Sequence, residues 1–168
     1  RTQEERRHRL ALAAAAGVAT AVLAEQGAVG GPVLLTPIQR WFFEQNFPHP
    51  HHWNQAMLLE VPPDIDAALL EQAFHNLIVQ HDALRLCFTQ GNNGWQQVNA
   101  PPASPSPLAR GDLSALPEPA VQPAIEAAAA QLQSSLDLAR APRLRAMLLD
   151  LGAERAGRRL IVINYLAI

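Results

Sequence analysis

The chain has 168 residues, enough for one domain with a sizeable core, and a formal net charge of −2. That near-neutral balance excludes a general attraction to nucleic acid or to anionic membrane surfaces. Charged residues make up 17% of the sequence, below the roughly 25% usual for soluble domains, and the single cysteine, Cys87, excludes a disulfide-stapled scaffold and fits a cytoplasmic compartment.

In chain order, residues 10–23 are apolar and Ala-rich and follow the basic run Arg6-Arg7-His8-Arg9. The stretch is shorter than the roughly 20 apolar residues of a membrane span. Residues 4–26 are therefore expected to form a helix or helical linker, ended by Gly27 and the Gly30-Gly31-Pro32 breaker. Arg1 stands where an initiator Met would, so the N-terminus is expected to be a boundary within a longer chain. Thr36-Pro37-Ile38-Gln39 is a strong helix start, with Thr36 as N-cap, Pro37 at the first helical position and Gln39 closing a capping box. The spacing puts Ile38, Trp41, Phe42 and Gln45 on one face and predicts that this short helix buries two aromatics.

Residues 55–61 read as a strand, with Met57, Leu59 and Val61 on one face and Ala56 and Leu58 on the other. Pro62-Pro63 stops it, and Asp64 or Asp66 caps a helix that spaces Leu70, Phe74 and Leu77–Ile78 toward its core and runs to about His81. Residues 84–89 and 95–98 form a predicted hairpin around Gln90-Gly91-Asn92-Asn93-Gly94. The proline-rich residues 100–119 are expected to be an irregular surface excursion. A third helix is predicted from Pro119 to about Leu138, with Ile125, Ala129, Leu132 and Leu136 as its buried stripe and Pro123 fitting only near the first turn. Residues 144–151 and the run from Leu160 are the last strands. The apolar pattern is unfinished at Ile168, which leads to the expectation of a piece of something larger. Helices and strands in this order, with hairpins and long crossovers together, predict an α/β (α+β) fold in which helices cover one face of a mixed sheet.

Chemistry-bearing residues are few. Three imidazoles in Pro48-His49-Pro50-His51-His52-Trp53 have a metal-like density, but no Cys or carboxylate completes a tetrahedral set, and a packed loop is the favoured reading. His81-Asp82 reads either as an acid/base pair or as a cation at a helix C-terminus, the second being favoured. Cys87 has no adjoining base, so a buried apolar role is expected, and solvated faces are expected for Arg6–Arg7 and Arg158–Arg159. No nucleophile elbow and no phosphate-binding glycine loop is present.

Several stretches resemble the condensation superfamily of nonribosomal peptide synthetases, and its epimerization branch in particular. Residues 33–45, V-L-L-T-P-I-Q-R-W-F-F-E-Q, resemble the opening motif of epimerization domains, and Pro50-His51-His52-Trp53-Asn54-Gln55-Ala56 resembles the segment that follows it. Residues 79–88, V-Q-H-D-A-L-R-L-C-F, resemble the second family motif, and Leu136-Asp137-Leu138 with Pro142-Arg143-Leu144-Arg145-Ala146 resembles the stretch before the catalytic strand. The resemblance spans residues 26–168. It implies a chloramphenicol acetyltransferase-like fold of two lobes around a tunnel, of which residues 27–168 would be the N-terminal lobe, the C-terminal lobe being absent. Residues 1–26 would be a helical linker after a carrier domain, and the partner would be a carrier domain of the same synthetase, presenting its cargo on a phosphopantetheine arm.

The family's chemistry rests on His-His-x-x-x-Asp-Gly just after the strand that begins here at Leu160. Aligned by that strand, Asn164 and Tyr165 stand at the two His positions. A phenol ordinarily ionises near pH ~10 and is a poor base for an α-proton at neutrality. The resemblance therefore assigns no catalytic, metal or directly bound cofactor residue in this chain. It implies a degenerate, epimerization-like interface domain that docks carrier domains and recruits a tailoring oxygenase such as a hydroxylase. The alternative is an active epimerization domain converting carrier-bound L-aminoacyl or peptidyl residues to the D form; a second alignment, with the His pair after Ile168, would favour it.

Overall fold

The computed structural model describes residues 27–102, 106–155 and 157–165. The helix expected over residues 4–26, the Arg6–Arg7 pair and residues 166–168 lie outside them. The elements are β1 (Gly31–Val33), α1 (Pro37–Glu44), a 3-10 turn (Pro50–His52), β2 (Asn54–Val61), α2 (Ala67–Gln80), a 3-10 turn (Asp82–Arg85), β3 (Leu86–Gly91), β4 (Gly94–Asn99), β5 (Leu108–Asp112), α3 (Glu118–Ser134), β6 (Leu144–Asp150), a 3-10 turn (Ala153–Arg155) and β7 (Arg158–Tyr165).

The strands form two sheets rather than the single one expected. β1, β4 and β3 make an antiparallel three-stranded sheet, and β2, β7, β6 and β5 make a mixed four-stranded sheet in that order. β7 runs antiparallel to both β2 and β6, and β5 runs parallel to β6. The helices do not share one face. α1 and α3 share one core with both sheets, burying Phe42, Phe43, Val121, Ile125 and Leu132 with Leu86, Phe88, Leu149, Ile161 and Ile163. α2 covers the opposite face, setting Phe74 against Leu144, Ala146, Leu148 and Leu160. β6 and β7 therefore bury both their faces. This is why they read as nearly continuous apolar runs, and why a period-2 pattern could not assign their two sides.

Local signals worked where a cap or turn sets the backbone. Thr36 Oγ1 accepts from Gln39 N–H at 3.3 Å while Gln39 Oε1 accepts from Thr36 N–H at 2.9 Å, the expected capping box. Asp66, rather than Asp64, caps α2 through Ala68 N–H at 2.7 Å. Gly91 pairs with Gly94 across the predicted hairpin turn, and Gly94 has a φ of 95° that favours glycine there. The buried face of α1 is Gln39, Phe42 and Phe43, whereas Ile38 and Trp41, expected inside, are exposed. Leu77 of α2 is exposed as well.

Four further expectations are corrected. Residues 100–119 are not wholly irregular, because Leu108–Asp112 adds to the sheet as edge strand β5. Its sequence L-A-R-G-D has weak strand propensity, and pairing with β6 supplies what propensity does not. α3 ends at Ser134, where the hydroxyls of Ser134 and Ser135 bond back to the carbonyls of Gln131 at 2.9 Å and Leu132 at 2.6 Å. Pro123 sits inside α3, beyond its first turn; Pro119, the residue whose carbonyl Pro123 cannot serve, is exposed. Arg158 and Arg159 are half-buried rather than solvated, pairing with Asp150 at 3.2 Å and Glu60 at 2.8 Å on the flanking strands. Cys87 is half-buried, its thiol 3.7 Å from the carbonyl of Arg85.

Gly111 is the closest approach in the sheet, since a Cβ built there would meet Leu149 Cδ2 at 2.8 Å. Leu149 is buried and cannot swing away. Gly111→Ala is expected to destabilise the domain by about 1–3 kcal/mol through overpacking, read as a lower urea midpoint at unchanged m-value; a neutral result would mean that β5 does not sit at this register. Just past it, the side chain and then the backbone N–H of Ser114 donate to Asp112 and hold its carboxyl below the usual carboxylate range.

Candidate functional site

β7 is an interior strand, and its C-terminal end carries the two residues singled out by sequence. Asn164 pairs with Gln55 of β2 on one side and Leu144 of β6 on the other. Tyr165 pairs with Asn54, the first residue of β2. The His-rich turn Pro50–His52 leads directly into β2, so the structure brings two separate sequence features, the His segment and the Asn-Tyr pair, to one end of one sheet.

This end is anchored by an aromatic cluster. Trp53 stacks on Phe47 at 5.0 Å and lies 5.6 Å from Phe42 and 6.3 Å from Trp41. Phe43, the next residue of α1, stacks on Trp95 at 4.1 Å and so ties the same helix to the three-stranded sheet. His49 and His52, both exposed, meet edge to face at 6.1 Å. Among the described residues no group of three His, Cys, Asp or Glu side chains lies close enough to hold a metal ion.

Asn164 is half-buried, and its Oδ1 is sealed from solvent without a hydrogen bond from any described residue. A carboxamide donates and accepts hydrogen bonds but does not ionise in the working range of proteins, so position 164 can hold a group and cannot remove a proton. Arg145 pairs with Ile163 from β6, so strand alternation puts it on the face of the sheet opposite Asn164. Burial pushes its guanidinium below the ordinary range, and Asp137 partly offsets this. Its Nη1 donates to the carbonyls of Pro142 at 2.6 Å and Leu144 at 3.0 Å.

His81 and Asp82 close α2, and His81 is exposed. The Asp82 carboxylate pairs with Arg85 and accepts from Val29 N–H at 3.3 Å, so it is a structural anion rather than half of an acid/base pair. Arg85 is fully buried and also donates to the carbonyls of Ile78 at 2.7 Å, Val79 at 3.0 Å, Ala100 at 3.0 Å and Val29 at 3.2 Å, pinning the start of the small sheet to the end of α2.

Sequence reasoning passed over Gln133, Arg143 and Arg145 as individual residues. Gln133 Nε2 donates to Asn54 Oδ1 at 3.3 Å, linking α3 to the start of β2. Arg143 is 1% exposed and its guanidinium donates to the carbonyls of Leu86, Asp137 and Leu138. The available signal was an arginine set into an apolar strand approach, Pro142-Arg143-Leu144-Arg145-Ala146, since a charge in such a place is either at an edge or fully satisfied.

Comparison with known proteins now places this geometry. The chain is 48% identical over 157 residues to a linear gramicidin synthase of Brevibacillus parabrevis, covering 94% of this chain and 3% of that protein. It is 43% identical over 158 residues to chondramide synthase cmdD of Chondromyces crocatus, covering 94% of this chain and 4% of that protein. Among solved structures, the epimerization domain from the third module of tyrocidine synthetase B superposes with a TM-score of 0.76 at 34% identity, covering 84% of this chain and 32% of that one. The starter condensation domain of rhizomide synthetase RzmA superposes with a TM-score of 0.64 at 25% identity, covering 81% and 32%. The chain thus spans a few per cent of its curated relatives and about a third of the solved domains. The mixed sheet with its covering helices is the chloramphenicol acetyltransferase-like architecture implied by the resemblance. The family model for the condensation domain matches residues 30–158, most of the chain, and the chain belongs to that family.

Proposed function

We propose that residues 27–168 are the N-terminal lobe of an epimerization-like condensation domain that docks a carrier domain without performing epimerization. Residues 1–26 are the linker from a preceding carrier domain, and the whole is a cytoplasmic synthetase component. The observation that carries this reading is the pair Asn164-Tyr165 at the end of the interior strand β7, where the family resemblance expects paired histidines. Neither a carboxamide nor a phenol of ordinary pKa, about 10, supplies a base near neutrality.

No helix among the described residues is long and apolar enough to cross a membrane. Recruitment of a tailoring oxygenase, such as a hydroxylase, is the role through which such a domain serves its synthetase.

The test uses the complete domain with a carrier domain loaded with an L-aminoacyl group in deuterated buffer. The expected outcome is saturable carrier binding with no deuterium gained at the α-carbon. Deuterium wash-in would overturn the non-catalytic reading in favour of an active epimerase, and absence of carrier binding would overturn docking. Capture of a tailoring oxygenase by the complete domain, but not by an isolated carrier, is the expected result for recruitment; equal capture by both would reject it.

A further inference from the structure

The two sides of the β7 end are not equally supported. Pairing with β6 stops at Leu144 opposite Asn164, whereas pairing with β2 continues one residue further, to Asn54 opposite Tyr165. Within the described ladders, the backbone at position 165 therefore rests on Asn54 alone. Asn54 is itself braced from α3, where Gln133 Nε2 donates to its Oδ1 at 3.3 Å across 79 residues of sequence. Both side chains are half-buried, so the bond is partly shielded from competing water.

Each partner is held in turn by its neighbours. Trp53, immediately before Asn54, is locked in the aromatic cluster with Phe47 and Phe42. Gln133 lies in the last turn of α3, whose end is closed by the hydroxyls of Ser134 and Ser135. A carboxamide bond between two fixed elements, set beside the last rung of the ladder, is a brace on that rung. We propose that Asn54 and Gln133 are positioning residues, forming a clamp that holds the backbone at positions 164–165 and so sets how this strand end meets carrier-borne cargo. The proposal rests on the docking reading only for what meets the strand end; the clamp itself is read without any carrier.

The direction of the bond makes the clamp testable by chemistry rather than by bulk. Asn54 uses its oxygen, so Asn54→Asp keeps the acceptor, and Asn54→Leu removes it. Gln133 uses its amide N–H, so Gln133→Leu removes the donor. Native-state hydrogen exchange of the full chain, followed at residues 163–165 and at their β2 partners, reads the opening of this end against the interior of the same strand at residues 160–161. A net hydrogen bond of this kind corresponds to an opening constant raised about 3- to 10-fold. That rise is expected for Asn54→Leu and Gln133→Leu at the strand end only. Asn54→Asp should stay close to the parent, and the double leucine variant should add nothing to Asn54→Leu, where the bond from Gln133 is already lost.

Unchanged exchange in Gln133→Leu, or Asn54→Asp behaving like Asn54→Leu, would overturn the proposal. So would equal acceleration along all of β7, which marks a general loss of stability. Gln133 lies on a helix rim and its replacement leaves the core intact, so the test does not depend on the Asn54 variants folding. Carrier affinity measured on the same variants separates the two claims. Weaker binding by Gln133→Leu supports the clamp as a positioning device, and unaltered binding despite an opened strand end would reject that role. If the parent domain binds no carrier, the docking reading fails while the exchange pattern still decides the clamp.

Discussion

Arg143→Leu is expected to lower the stability of the domain by about 3–5 kcal/mol, because it removes a buried cation's hydrogen bonds while leaving their acceptors in place. The carbonyls of Asp137, at 2.9 Å, Leu138 and Leu86 all receive the Arg143 guanidinium, which also lies 4.9 Å above the Phe88 ring. These groups join three segments: the turn after α3, the start of β3 and the approach to β6. Leucine fills part of the volume but donates nothing, so the acceptors lose their partners inside a sealed core, at about 1–3 kcal/mol each before relaxation. Against a usual total of about 5–15 kcal/mol, this is close to unfolding the domain. Arg143→Lys should lie between, since an ammonium offers its donors from one point and cannot span the three acceptors. Urea denaturation of the complete domain gives the answer, and a loss under about 1 kcal/mol for Arg143→Leu would show that these carbonyls find other donors.

Phe42→Ala is the second large effect, at about 3–5 kcal/mol for a truncated core aromatic. Phe42 is 2% exposed and lies 5.3 Å from Phe43, 5.6 Å from Phe47 and 5.6 Å from Trp53, so its loss opens a cavity where α1 meets the loop before β2. Trp41→Ala supplies the control. Trp41 is larger but 43% exposed, and its removal should cost the fold much less, about 1 kcal/mol. If Trp41→Ala destabilised as much as Phe42→Ala in thermal unfolding, the buried face of α1 would be the one expected from periodicity rather than the one the structure gives. Phe42→Ala should also alter tryptophan emission, because it removes a wall of the Trp53 site.

The contrast between Trp41 and Phe42 shows where sequence reading has its limit. An eight-residue helix with Trp-Phe-Phe in mid-course has too few turns to fix its apolar face by spacing alone. The choice fell to what stood opposite: Phe43 found Trp95 and Phe88 on the small sheet, and Phe42 found Phe47 and Trp53. The same limit hid β5. Its five residues, Leu-Ala-Arg-Gly-Asp, become a strand because Gly111 lets the chain approach Leu149, a contact invisible from either segment by itself.

The candidate site divides in the same way. That Asn164 and Tyr165 end a strand was legible at once, because it depends on the apolar run before them. The clamp beside them was not. Gln133 sits on α3 next to the buried stripe and pairs with Asn54 only because α3 crosses the end of the β2–β7 ladder.

What the sequence by itself determined is the set of local structures. The Thr36–Gln39 capping box, the Asp66 cap and the Gly91–Gly94 turn act over two or three residues, so their signals are complete within the segment that uses them. What only the tertiary structure decided is how those pieces divide the core. It split the strands into two sheets, placed α2 on the face opposite α1 and α3, and buried Arg85 and Arg143 with their acceptors. The physical reason is that burying a face or satisfying a guanidinium requires partners distant in sequence, such as Arg143 and Leu86, 57 positions apart, and no local pattern carries the identity of a distant partner.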